Sequence, residues 1–295
     1  MKTRAKAIIK LTRWQEFLAF TTILTLLGGL TAHQVNNTPL DWKLIVVWVA
    51  NLAAMAYAFM VNDIEDAPDD ARDPNRISTN PVANLELSVP MAWLATISFG
   101  VLSAICYAVV GPRTFVVGII TLILAHLYSW KPVRLKAKPL IDIISHALML
   151  STLLYVAAFF AYEHDLSDLW MIVIVTFAAS ANGQLYNQVR DYEADRVAGL
   201  HNTASILGKT LTDRLATATI VTTGICLGIA ILQGIFPLWL GGVLIAVTPI
   251  VFYLLRNSTH DMRGSETDDP MALFQRKALY IMNLTLLAWL IAVYV

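Results

Sequence analysis

Asn62-Asp63-Ile64-Glu65-Asp66-Ala67-Pro68-Asp69-Asp70 and Asn187-Gln188-Val189-Arg190-Asp191-Tyr192-Glu193-Ala194-Asp195 place dense groups of oxygen-bearing side chains where apolar runs meet water. Carboxylates packed this closely repel one another and are costly beside a bilayer, and a shared divalent cation relieves both penalties. Hard oxygen donors suit Mg2+, which keeps several waters and is bound through a few carboxylates together with substrate phosphates. The chemistry implied is that of a diphosphate at a membrane.

Spacing supports a common site. On a helix Asn62, Asp63 and Asp66 gather at one end, with Asp70 a turn further along. Pro68 predicts that this helix stops near Asp66 or Ala67, so Asp69 and Asp70 are expected to reach the metal from a bend or loop. Asn187, Asp191 and Asp195 recur every four residues and share a helical stripe, whereas Glu193 points elsewhere. The plain alternative is a pair of solvated acidic loops. One cluster can be accidental; two on one face, each with a neighbouring Asn, argue against that.

The elements that must hold these groups follow from composition. The 295 residues are 57% hydrophobic and 14% charged, and the mean hydropathy is positive, which excludes disorder and an ordinary soluble globule. Apolar runs long enough to cross the hydrocarbon recur at Phe17–Ala32, Leu44–Val61, Ser88–Val110, Phe115–Trp130, Leu140–Tyr162, Leu169–Tyr186, Leu215–Leu232, Leu238–Leu255 and Ala278–Val295. The expected fold is an all-α integral membrane protein of nine transmembrane helices, forming one domain over residues 1–295. Each acidic cluster follows the second helix of a four-helix group, which suggests a duplicated unit plus a ninth helix.

Positive charge gives a sidedness. Nineteen of the 21 Lys and Arg residues fall in alternate connecting segments, and only Lys43 and Arg113 lie on the other side. Because short cytoplasmic loops retain Lys and Arg, the N-terminus and both acidic clusters are expected on the cytoplasmic face and the C-terminus outside. A cleaved signal peptide competes for the first run, given its basic flank and Leu30-Thr31-Ala32, but Gly28, Gly29 and eight further runs favour a retained helix. Cys106 and Cys226 lie inside apolar runs and read as small buried hydrophobes. His126 and His146, also within runs, read as interhelical hydrogen-bonding groups, and no histidine arrangement suggests a metal site. With zero net formal charge, nothing points to a nucleic acid partner.

Asn62-x-x-x-Asp66-x-x-x-Asp70 with Asp63, followed far downstream by Asn187-x-x-x-Asp191-x-x-x-Asp195, resembles the paired signature of the UbiA superfamily of intramembrane prenyltransferases. That family also has nine helices, with its signatures after the second and sixth. Tyr128-Ser129-Trp130-Lys131-Pro132-Val133-Arg134-Leu135-Lys136 is similar to its Tyr-Ser…Pro…Arg-Leu-Lys segment after the fourth helix. The resemblance implies that Asp63, Asp66, Asp70, Asp191 and Asp195, assisted by Asn62 and Asn187, hold Mg2+ ions that grip an isoprenyl diphosphate. Asp63, Asp66, Asp191, Asp195 and Tyr128 are then the expected catalytic residues.

Arg72, Arg76, Arg134, Lys136 and Arg190 are candidates to stabilise the leaving diphosphate, although a cytoplasmic loop attracts cations for topological reasons alone. The allylic cation left behind needs a dry site with electron-rich walls, for which Tyr128, Tyr186 and Tyr192 are candidates; an interfacial aromatic belt explains each of them equally well. Asn51, eleven residues before Asn62 and so on nearly the same helix face, is a candidate for the acceptor cavity, with interhelical hydrogen bonding as the alternative.

One departure stands out: the family often has Arg-Pro after the first signature, and this chain has Asn80-Pro81. Asp70-Ala71-Arg72-Asp73-Pro74 resembles members that extend carotenoids, while Asn187-x-x-Arg190-Asp191 resembles those that prenylate naphthoate-type quinone precursors. The implied function is Mg2+-assisted transfer of an isoprenyl group from its diphosphate to a lipophilic acceptor, either aromatic quinone precursor or carotenoid, drawn from the lipid bilayer. Two alternatives remain at this point. A CDP-alcohol phosphotransferase would need its acids in one continuous Gly-containing motif, which is absent; a divalent cation transporter would carry them along the membrane path rather than at helix ends.

Overall fold

The computed structural model describes all residues except Met1, Asn75, His164, Leu166, Asp168, Leu169, Ala198 and 262–265, and the side chains of Lys2, Thr3, Ala194, Asp195 and Val197. The chain begins with a short helix, α1 (Lys2–Thr12), that buries Ala7 and Leu11 against Met60, Ile64 and Leu87 while Arg4 and Lys6 face outward. Arg13, in the left-handed region at φ 51°, turns the chain into α2 (Trp14–Asn36).

Next come α3 (Trp42–Asp70), α4 (Val89–Val110) and α5 (Pro112–Ser129). A single 3-10 turn (Leu135–Ala137) leads to α6 (Ile141–Ala147), which continues through a π turn (Leu148–Thr152) into α7 (Leu153–Phe159). After α8 (Trp170–Arg190) the chain makes two short helices, α9 (Tyr192–Val197) and α10 (Thr203–Leu207). Three longer ones finish it: α11 (Lys209–Leu232), α12 (Trp239–Leu254) and α13 (Pro270–Tyr294).

The end of α3 corrects the reading of Pro68. The helix runs through the proline to Asp70, so Asp69 and Asp70 sit on it rather than on a bend. So close to the C-terminus the missing N–H removes one bond only, and the N–H of Ala71 closes onto the carbonyl of Ala67 at 3.0 Å.

Packing centres on α2, α3 and α7, where Leu30, Met55, Leu154, Tyr155 and Phe159 are fully buried. Gly28 permits this contact: a Cβ there would come within 2.6 Å of the Tyr155 carbonyl oxygen. Asn51 is wholly committed to the same junction. Its amide donates to Thr25 Oγ1 at 2.8 Å and to the Leu154 carbonyl at 3.2 Å, and its oxygen accepts from the Tyr107 hydroxyl at 2.6 Å. A buried amide must satisfy both ends, and doing so takes Asn51 out of the acceptor role expected for it. His126 meets the Tyr57 hydroxyl at 3.0 Å and His146 meets Ser180 at 3.3 Å, each across two helices.

Among the described residues seven helices are long and apolar enough to cross a membrane: α2, α3, α4, α5, the α6–α7 unit, α11 and α13. The two other expected spans differ for separate reasons. Helix α12 has 16 residues, and α8 carries Ser180, Asn182, Gln184, Asn187 and Gln188. Large apolar side chains such as Ile97, Ile105, Val116, Ile225 and Ile245 are about half exposed or more around the outside. Such a belt is untenable in water and natural in lipid.

Candidate active site

Both acidic clusters open on one cavity of about 1050 Å³, formed where α3, α5 and α8 end, beside the last turn of α6 and the π turn. Asn62, Asp66, Asp69 and Asp70 enter it from α3, and Asn187 and Asp191 from the end of α8. Arg72, Arg76, Arg134, Lys136 and Arg190 line it too, so all five expected phosphate-binding cations are brought together.

The first signature is woven into the segment after α5. Lys136 Nζ donates to Asn62 Oδ1 at 2.8 Å and to Asp66 Oδ2 at 2.5 Å, and Ser129 also donates to Asn62 Oδ1. Burial pulls the Lys136 ammonium below the ordinary lysine value, with Asp66 opposing the shift. Arg134 lies 3.6 Å from Asp66 and 3.9 Å from Asp69. Asp66 Oδ1 is nevertheless buried without a hydrogen-bond partner, as is Arg134 Nε. Orphaned buried groups of opposite sign facing a wide cavity are a reason to look for a ligand there.

Asp70 is held by a residue that stands at the departure from the family pattern. The Asn80 amide donates to Asp70 Oδ2 at 2.9 Å and to the Asp63 carbonyl at 2.7 Å, while its oxygen accepts from Val82 N at 2.9 Å. Arg76 approaches Asp70 to 3.9 Å. Asn80 thus orients a candidate ligand, a role the sequence does not announce.

Asp63 takes a different course from its neighbours. It is buried, it is absent from the cavity lining, and Arg13 Nη1 donates to it at 3.0 Å. Arg13 also binds Glu16, through Nε at 2.7 Å, and its guanidinium sits 5.2 Å from the centre of the Phe59 ring. The structure thus places Asp63 away from the other expected metal ligands: at i+1 from Asn62 it projects from another face of α3, and there it meets a cation.

In the second signature Arg190 grips Asp191 with two parallel bonds of 2.8 and 2.9 Å. Asp195 lies on α9, and its side chain falls outside the described residues, as does any ligand role expected for it. Of the three tyrosines, Tyr128 lines the cavity, where its hydroxyl accepts from Gln184 at 3.3 Å and its ring lies 6.2 Å from that of His146. Tyr186 and Tyr192 do not line it; Tyr186 donates to Asp269 at 2.9 Å instead. Phe59, which no motif pointed to, supplies a second aromatic surface together with apolar Ala58, Met149 and Leu150.

Among the described residues no three His, Cys, Asp or Glu groups could hold a metal by themselves. The donors are spread along the cavity and paired with cations, and such an arrangement fits a hard cation that takes some of its ligands from phosphate.

An all-helical bundle with an apolar outer belt and an acid- and cation-lined cavity at one end is the architecture of a membrane protein with a polar site. The chain belongs to the UbiA prenyltransferase family, whose family model matches residues 21–287. Its fold is similar to that of a UbiA homolog from Archaeoglobus fulgidus bound to GPP and Mg2+, at 24% identity over 97% of this chain and 99% of that one, with a TM-score of 0.74. It also resembles an apo UbiA homolog from Aeropyrum pernix K1 at 15% identity, 94% and 98% coverage and a TM-score of 0.70. Digeranylgeranylglyceryl phosphate synthase superposes at 18% identity, 99% coverage of both chains and a TM-score of 0.65. Comparison with curated proteins finds no match.

Proposed function

We propose that this protein transfers an isoprenyl group from an allylic isoprenyl diphosphate to a lipophilic acceptor with the help of Mg2+. The observation that carries the reading is the meeting of both acidic signatures and five cations in one cavity. Family membership and the Mg2+- and GPP-bound relative add to it. Asn62, Asp66 and Asp70 on one side, and Asn187 and Asp191 on the other, would hold the metal, with Asp195 joining them on the ground of its sequence spacing alone. Mg2+ so bound supplies charge neutralisation for the departing diphosphate.

The protein's own residues do the rest. Arg134 and Lys136 stand against Asp66 and turn toward phosphate oxygens, while Arg72, Arg76 and Arg190 ring the opening and attract the anion. Phe59, Met149 and Leu150 hold the prenyl tail, and Tyr128 faces the reacting carbon with an electron-rich ring. Positively charged connecting segments support a cytoplasmic N-terminus and cavity and an external C-terminus. Helices α8 and α12 complete nine spans, α8 tolerating polar residues because Gln184, Asn187 and Gln188 line the cavity while Ser180 meets His146 and Asn182 donates to the Ala216 carbonyl on α11.

Neither alternative enzyme nor transporter gains support: the family match is to prenyltransferases, and the carboxylates gather at one end. The test offers purified protein, Mg2+ and radiolabelled isoprenyl diphosphates to an aromatic quinone precursor, a carotenoid and a whole lipid extract. A prenylated product that EDTA abolishes is expected. Absence of any such product, with movement of divalent cations by reconstituted vesicles, would replace this reading with transport.

A further inference from the structure

Asp142, at the start of α6, is fully buried and stands outside the cavity lining. Its Oδ1 accepts from the backbone N–H of Ile143 at 2.8 Å and from the Thr203 hydroxyl. Its Oδ2 accepts from the Thr203 N–H at 2.8 Å and from Gln188 Nε2 at 2.7 Å. Gln188 in turn accepts from the N–H of Ala204 at 3.0 Å, and the Thr203 hydroxyl accepts from Leu140 N at 2.8 Å. One carboxylate therefore ties α6 to the last turn of α8 and to the first residues of α10.

The two clamped points bracket the segment that carries Arg190 and Asp191 and sends Gly199, Leu200 and Asn202 to the cavity wall. Gln188 itself adjoins Asn187. Helices that needed only to adhere here would use apolar side chains, which lose nothing on leaving water, whereas a buried charge must recover its hydration through well-aimed donors. Donors fixed in direction constrain orientation, and charge-assisted bonds do so most firmly.

We propose that Asp142 is a positioning residue for the second half of the diphosphate site, acting through Gln188 and Thr203 to hold Asn187 and Asp191 toward the first. The inference rests on the Mg2+ and diphosphate reading above.

The test compares the full-length wild type with Asp142→Asn, Thr203→Val and the double variant Asp142→Asn/Gln188→Glu. Mg2+ is titrated in the presence of geranyl diphosphate by calorimetry, with hydrogen exchange at Thr203 and Ala204 followed in the metal-free protein. Asp142→Asn sets its new amide against other donors; half-saturating Mg2+ should rise about tenfold or more, and exchange at both amides should quicken. Thr203→Val, which removes one hydroxyl, should shift both readouts less and in the same direction. In the double variant the new amide meets a carboxylate, so part of the Mg2+ dependence should return.

Folded variants that titrate like the wild type would overturn the inference. If Asp142→Asn does not fold, Thr203→Val decides, and an unmoved Mg2+ titration there reduces Asp142 to a structural role. A wild type that binds no geranyl diphosphate with Mg2+ refutes the functional reading instead.

Discussion

Arg13 and Asp63 form a salt bridge of 3.0 Å between the start of α2 and the buried interior of α3, one residue from the cavity-lining Asn62. The pair anchors the N-terminal helix beside the first signature. Losing Arg13 leaves Asp63 buried without its cation, whereas losing Asp63 leaves Arg13 with Glu16 and with partial solvent contact. In a double-mutant cycle of Arg13→Ala and Asp63→Ala, thermal unfolding in detergent should show a coupling of about 1–3 kcal/mol, reduced toward the lower end because Arg13 retains solvent contact. Additive losses would mean that the bridge contributes nothing.

Asp66→Asn and Asp191→Asn each remove the charge of a proposed ligand at constant volume from the cavity lining. Both should still fold, while turnover falls by about 10²-fold or more. Asp213→Asn, on the exposed side of α11, should leave turnover unchanged. Full activity in both signature variants would end the paired-site reading.

Mg2+ and diphosphate should also register without any acceptor. Inorganic pyrophosphate with Mg2+ should raise the thermal midpoint, corresponding to about 2.7 kcal/mol at a hundredfold excess over the dissociation constant, and EDTA should cancel the gain. An equal shift with EDTA present would assign the effect to the anion and the cationic rim alone.

Asn80 offers a sharper probe of Asp70 than replacing Asp70 itself. Asn80→Asp removes the amide donor and sets a second carboxylate against Asp70, at a cost of about 1–3 kcal/mol in stability together with weaker Mg2+ dependence. Stability and Mg2+ titration matching the wild type would remove Asn80 from any part in the site.

Sidedness has its own measurement. Cysteines placed at Asp73, Lys138 and Gly199 should react with an impermeant thiol reagent from the cytoplasm, and one at Asp165 only from outside. Reaction of the Asp73 and Gly199 positions from opposite sides would separate the two signatures across the bilayer.

Much of this arrangement is legible in the chain itself, because membrane spans and acidic signatures are local patterns. The spacing of Asn62, Asp66 and Asp70 survives intact because α3 continues to Asp70. What is not legible depends on partners distant in sequence. Asp63 looks like one more ligand until Arg13, fifty residues earlier, is seen beside it. Asn51 has the right helical phase for the cavity, but Thr25, Tyr107 and Leu154 claim its amide first. Asp142 sits in no motif, and only the fold brings it to Gln188 and Thr203. Tyr186 shows the same limit: its contact with Asp269 spans 83 residues.

The π turn at Leu148–Thr152 settles a conflict of phase within one continuous helix. Before it, Asp142 must reach Gln188 and His146 must face the cavity; after it, Tyr155 and Phe159 must lie against Gly28. A π turn is an α-helix with one residue inserted, and each residue turns the helix by roughly 100°. Deleting a single residue from 148–152 would restore regular winding and swing one of the two halves away from its neighbours. The insertion thus acts as a gear between the cavity end of the bundle and its tightly packed end, allowing each to keep its own register.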